Sequence, residues 1–169
     1  RAGPEGVREE RRWWDLRFSD APDVAPAERS ALAEELDALL ADATRLRLRA
    51  DVPVAAYLSG GLDSSAIVAH ALEQMDETLF AFGIGFEDSR FDESAFQDLL
   101  TDARGLSLTR ASVGARDIAE LLPRTVELAE KPTLRTAPSP LLRLSGAVQD
   151  AGLKVVTTGE GADELTFLD

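Results

Sequence analysis

The sequence predicts an α/β fold, a three-layer sandwich in which helices flank a central parallel sheet. Two observations lead there. Short apolar runs alternate with stretches of helical periodicity from residue 27 onward, and glycine-rich turns stand where two of those runs end. Strands joined through helices of this length must lie parallel, because a parallel neighbour can be reached only by a crossover, and the crossover helices cover the sheet faces.

The elements follow in order. From Arg1 to Ala27 the chain is polar, carries Pro4, Pro22 and Pro26 and an aromatic cluster of Trp13, Trp14 and Phe18, and reads as a linker that docks onto something. Leu32, Leu36, Leu39, Leu40, Ala43 and Leu46 recur every three or four residues, which predicts a helix over 27–50 whose Arg45, Arg47 and Arg49 sit favourably at its negative end. Val52 to Leu58 is a short apolar run closed by Ser59-Gly60-Gly61, and Ser64 to Met75 returns to helical spacing. The alternation then repeats: strand 79–86, helix 93–103, strand 107–113, helix 115–129, a further helix 140–151, and a last strand 154–158. In such sheets a ligand sits beyond the carboxyl ends of the strands, near the point where strand order reverses. The turns 59–65 and 159–164 both fall at such ends, so they are expected to be neighbours in space.

Composition removes several classes of function. With 31 acidic against 18 basic residues the formal charge is −13, which argues against a broad nucleic-acid surface, since such a surface must neutralise phosphates. Any phosphate must therefore be held locally. The absence of cysteine excludes disulfides, thiolate metal sites and a cysteine nucleophile in this chain. His70 is the single histidine, so a Ser-His-Asp hydrolase would have to use it, and a histidine-rich metal site is ruled out. Its place on an apolar helical stretch reads as an ordinary, partly buried or surface histidine. No apolar run approaches the length of a membrane span and the first residues lack the core of a signal peptide, so the expectation is a cytoplasmic protein with no membrane partner.

The two turns carry the chemistry. Ser59-Gly60-Gly61-Leu62-Asp63-Ser64-Ser65 stands between strand and helix, where backbone N–H groups and the positive helix end can surround an anion and the three hydroxyls add donors. No lysine follows the glycines, so this is not a Walker A loop. The plain alternative is a tight turn whose serines and aspartate merely cap the helix. In Gly159-Glu160-Gly161-Ala162-Asp163-Glu164 three carboxylates crowd among glycines. They suit Mg2+, which takes carboxylate together with phosphate oxygens, so Asp63 and Asp163 can share the ion with a pyrophosphate. A solvated acidic loop is the alternative there.

Together the motifs resemble the synthetase domain of glutamine-dependent asparagine synthetases, a PP-loop ATP pyrophosphatase of the adenine nucleotide alpha hydrolase-like fold. Weaker matches lie at 14–18, 45–54, 83–88, 91–94 and 134–138, so the resemblance runs from about Trp13 to Leu165. It implies that Ser59, Gly60, Gly61, Asp63, Ser64 and Ser65 hold the β and γ phosphates of ATP, that Tyr57 and the backbone of Ile84 border the adenosine, and that Thr158 and Gly159 edge the AMP site. It further implies that Asp63 and Asp163 serve Mg2+, that Glu160 is the general base on ammonia, and that Arg135 lies near the acyl-adenylate. For Tyr57 and Ile84 a sheet-core position is the alternative, and for Arg135 a surface ion pair. The implied reaction turns aspartate and ATP into β-aspartyl-AMP and pyrophosphate, then amidates the adenylate with ammonia to asparagine and AMP.

Two departures qualify the resemblance. The family's glutaminase half uses an N-terminal cysteine, and none is present, so residues 1–26 are expected to link a preceding glutaminase domain to a truncated synthetase domain at 27–169. After Gly161-Ala162-Asp163-Glu164 the family continues with a pattern that Leu165-Thr166-Phe167-Leu168-Asp169 does not follow, and a phosphate-binding lysine lies further on. Weak nucleotide binding without turnover is therefore one expectation. A β-lactam-forming or other amide-forming relative, and a non-catalytic nucleotide module, are the alternatives to asparagine synthesis, and a homodimer is left open.

Overall fold

A computed structural model describes residues 2–3, 6–7, 10–15, 24–75 and 78–162. Phe18 and Asp163 lie outside the described residues. The chain divides into two compact units, Arg1–Glu35 and Leu36–Asp169. In the first, β1 (Ala2–Gly3) and β2 (Gly6–Val7) form a short antiparallel pair not foreseen in the sequence, and Trp13 and Trp14 are exposed. Helix α1 (Pro26–Arg47) begins in this unit, where Glu28 accepts the Ala25 N–H, and runs on into the second.

The second unit holds β3 (Val54–Tyr57), α2 (Leu62–Gln74), β4 (Phe80–Phe86), α3 (Ser94–Arg104), β5 (Ser107–Val113), α4 (Ala115–Ala129), α5 (Pro138–Asp150) and β6 (Val155–Thr157). Its strands form one parallel sheet in the order β5-β4-β3-β6. The chain leaves β3 to one side, builds β4 and β5, and returns to β6 on the other side. That makes the β3/β6 boundary the switch point at which such sheets open a crevice.

Alternate residues of the strands feed two cores, because successive side chains of a strand point to opposite faces. On one face Ala56, Leu58, Leu79 and Ala81 pack against Val68 and Ala71 of α2, with Leu100 of α3 and Leu48 alongside. On the other, Ala55 and Phe82 pack against Leu144 and Val148 of α5. Burying side chains of this size contributes about 1.5–3 kcal/mol each for the larger ones. Helix α5 starts two residues before the expected position because Pro138 fits its first turn, where the missing N–H has no partner to lose. His70, on α2, is buried with Nε2 3.2 Å from Oδ1 of Asp37 on α1.

Phe80 and Phe82 offer a test of the packing, since they stand on the same face of β4 at 47% and 1% exposure. Phe82→Ala is expected to destabilise the protein by about 3–5 kcal/mol in chemical denaturation and Phe80→Ala by about 1 kcal/mol or less. Equal losses would contradict the assignment of the core.

Candidate functional site

The ladder between β3 and β4 ends at a single rung in which the Leu58 N–H donates to the Phe82 carbonyl at 2.9 Å. Ser59 then leaves the sheet. Gly60 takes φ +102°, in the left-handed region, and a Cβ there would lie 2.9 Å from the Glu93 carbonyl oxygen, so the turn needs glycine twice over. The serines bind one another: Ser59 Oγ is 2.8 Å from Ser64 Oγ and accepts the Gly61 N–H at 3.1 Å, while Ser64 Oγ donates to the Gly61 carbonyl at 3.2 Å. Gly61 is the N-cap of α2 and no side chain caps that helix. The capping alternative therefore does not describe this turn, and the first N–H groups of α2 keep their capacity for an anion.

The second turn follows β6. Thr158 Oγ1 accepts the Glu160 N–H at 3.3 Å, and the Gly159 carbonyl accepts the Ala162 N–H at 3.3 Å. A Cβ on Gly159 would stand 3.0 Å from the Ser64 nitrogen and 3.2 Å from Asp63 Cβ. The backbone of the second turn thus lies directly against the start of α2, as the strand order requires.

Between them is a cleft of about 410 Å³ lined by Ser59, Gly61, Leu62, Asp63, Ser64, Glu93, Thr158, Gly159, Glu160 and Gly161. Its ionisable lining groups, among the described residues, are Asp63, Glu93 and Glu160. A polyanion can enter such a cleft only on backbone and hydroxyl donors and with a cation beside the carboxylates. Among the described residues no cluster of three or more metal-ligating side chains occurs, whereas Mg2+ on a nucleotide commonly needs only one or two carboxylates and the phosphates. Asp63 lines the cleft and is a carboxylate of that kind.

A smaller apolar recess of about 170 Å³ adjoins the cleft. It is lined by Leu58, Phe82, Ile84, Phe86, Phe91, Leu141 and Leu144, and it shares Ser59, Glu93 and Glu160 with the cleft. Ile84 is therefore beside the two turns. Tyr57 is not: its hydroxyl is 3.2 Å from Ser145 Oγ and it lines a separate cavity with Lys154 and Val156. Arg135 lines a further groove with Lys131, Thr133 and Leu134, which shares only Leu141 with the recess. Gly60 and Ser65 belong to the first turn and helix start without lining the cleft.

Two residues of the site escape sequence reasoning. Glu93 borders both cleft and recess, and its only signal is its place in Phe91-Asp92-Glu93-Ser94. That loop is anchored by Asp92, whose Oδ1 accepts from the Ser94 hydroxyl at 2.7 Å and from the Phe86 N–H at 3.0 Å. The Ser94 hydroxyl above all holds the Asp92 carboxyl below its ordinary range. Gln97 is the second, a buried amide on α3 that donates to the carbonyls of Ser59 and Ile84.

Comparison with known proteins agrees with this architecture. A family model described as asparagine synthase matches residues 35–167. An amidase of Gibberella zeae is 30% identical over 95% of this chain and 26% of its own length. A putative glutamine-hydrolysing asparagine synthetase of Methanocaldococcus jannaschii is 34% identical over 90% of this chain and 29% of its own. The chain spans about a quarter of the length of these curated relatives. Among solved structures, an NH3-dependent NAD synthetase from Campylobacter jejuni aligns with a TM-score of 0.52 at 16% identity over 80% of this chain and 60% of that one, a likeness of fold alone. The family match takes in both glycine turns and every strand of the parallel sheet, and on it the chain belongs to the asparagine synthase family.

Proposed function

We propose that the cleft binds ATP and that the chain contributes the nucleotide-binding part of an ATP-dependent, AMP-forming amide ligase whose activated carboxylate is the side chain of aspartate. The observation that carries this reading is the contact of Gly159 with Asp63 and Ser64, which gives the two turns one common cleft at the switch point of the sheet. The β and γ phosphates would rest on the turn from Ser59 to Ser65, held by backbone N–H groups and the hydroxyls of Ser59 and Ser64. The adenosine would lie toward the recess at Ile84, and the α phosphate beside Thr158 and Gly159. Mg2+, held by Asp63 and Asp163, would offset the phosphate charge that the acidic lining otherwise repels.

Chemically, an aspartate carboxylate oxygen attacks the α phosphorus, the bond to the bridging oxygen breaks, and pyrophosphate leaves with that electron pair. Ammonia then attacks the acyl carbon, AMP departs, and a proton passes to a base. Glu160 suits that role because it borders cleft and recess together, where the α phosphate of a nucleotide occupying both would lie. Arg135, assigned to the acyl-adenylate, has the least geometric support, since its groove meets the recess only at Leu141. Residues 27–169 would form part of the synthetase domain and residues 1–26 a linker. Glutamine hydrolysis by a glutaminase domain elsewhere in a full-length chain would supply the ammonia, as the name of the archaeal relative suggests.

Calorimetric titration with ATP–Mg2+ and an assay of aspartate-dependent pyrophosphate release in the full-length protein test this together. Binding and aspartate-dependent release are expected; release indifferent to aspartate would overturn the substrate, and no binding would overturn the site. Asp63→Asn is expected to raise the Kd for ATP about tenfold at fixed Mg2+ and to flatten its dependence on Mg2+ concentration. Gly159→Ala, which wedges a methyl against Ser64 and Asp63, is expected to weaken ATP binding by about the same factor. Unchanged affinity in either variant would count against the role given to that residue.

A further inference from the structure

Gln97 is 1% exposed, a primary amide surrounded by protein. Such a group is costly to bury unless its polar atoms are all engaged, so the partners it takes reveal what the position is for. Nε2 donates to the Ser59 carbonyl at 3.0 Å and to the Ile84 carbonyl at 2.9 Å. Oε1 accepts from Arg110 Nε at 2.7 Å, and Arg110 Nη2 reaches Asp98 Oδ1 at 2.6 Å. The amide is therefore held from β5 on one side and grips the departing ends of β3 and β4 on the other. The backbone rung before it is Leu58 to Phe82, so Gln97 ties the two strands together where the ladder itself has stopped.

The consequence lies in the peptide that follows. A trans peptide is planar, with C=O and N–H pointing in opposite directions, so fixing the Ser59 carbonyl on Gln97 also fixes where the Gly60 N–H points. Glycine at φ +102° has little steric resistance to rotation of that peptide. A flip would shift Ser59 and Gly61, which flank that peptide and line the cleft, and so change the donors the turn offers an anion. The hydroxyl bonds of Ser59 with Ser64 and Gly61 hold the side chain and leave the carbonyl to Gln97.

We propose that Gln97 is a positioning residue for the phosphate-binding turn: its carboxamide fixes the Ser59–Gly60 peptide and, through it, the placing of Ser59 and Gly61, the cleft-lining residues that receive the β and γ phosphates. The assignment rests on the nucleotide reading above, and it separates from a purely structural role by its selectivity. A structural role would affect every ligand alike or none, whereas a restraint on this peptide matters most for phosphates that reach the turn, and the bond to the Ile84 carbonyl bears on the nucleoside more weakly.

The test is calorimetric titration of wild type, Gln97→Met and Gln97→Glu with ATP, pyrophosphate and AMP, each with Mg2+, with the fold of each protein verified by circular dichroism. Methionine fills the space with no donor, and glutamate keeps an acceptor for Arg110 while turning an anionic oxygen to the two carbonyls. Both variants are expected to lose about tenfold in affinity for ATP and pyrophosphate and clearly less for AMP, which meets Gln97 only through the Ile84 carbonyl. Should Gln97→Met fail to fold, Gln97→Glu carries the comparison. Wild-type binding with unchanged ATP and pyrophosphate affinity in the variants, or an equal loss for AMP, overturns the assignment alone. A wild type that binds no ATP overturns the nucleotide reading and this assignment with it.

Discussion

Everything at this site depends on the approach of the backbone at Gly159 to the start of α2. A Cβ there would stand only 3.0 Å from the Ser64 nitrogen and 3.2 Å from Asp63 Cβ, closer than a methyl group can sit without a shift. Two segments some 95 residues apart in sequence are brought to that distance by strand order: β3 and β6 are neighbours although β4 and β5 intervene along the chain. Their carboxyl ends cannot then avoid meeting. A larger side chain at 159 would separate the turns and leave two unrelated loops.

Around that contact the protein relies on polar groups held by other polar groups rather than on charge. The first turn is closed by hydroxyls and by a carboxamide, and the cleft's ionisable lining is acidic. An acidic chain with a net charge of −13 gains nothing from long-range attraction of a nucleotide. On the proposed nucleotide reading, affinity comes from preorganised N–H groups at short range and from a divalent cation, and both demand a rigid frame. The chain of contacts from Asp98 through Arg110 and Gln97 to Ser59 supplies part of that frame from the adjacent strand and helix.

The fold was largely legible in the residues. Periodicity located every strand and helix among the described residues of the second unit, with β5 and α4 at the expected limits and the others shifted by a residue or more at their ends, where capping and proline chemistry decide. Pairing order was not legible, because it depends on which crossover packs on which face. Side-chain direction was harder still. Of the obvious apolar residues of helix α3, Leu100 packs on the core but Phe96 and Leu99 are 59% and 66% exposed, while the amide Gln97 is buried where it donates to the strand-end carbonyls. Tyr57 shares a face with Ala55, and that face turns it to Ser145 and away from the turns. For Arg135, in the connection between α4 and α5, no local pattern fixes a direction at all.

Whether the two turns act as one nucleotide site shows most plainly in amide chemical shifts during a titration with ATP–Mg2+. The backbone signals of 59–65 and 158–161 are expected to move together with a common binding constant. Movement of one turn without the other, or changes confined to the cavity at Tyr57 or the groove at Arg135, would contradict it.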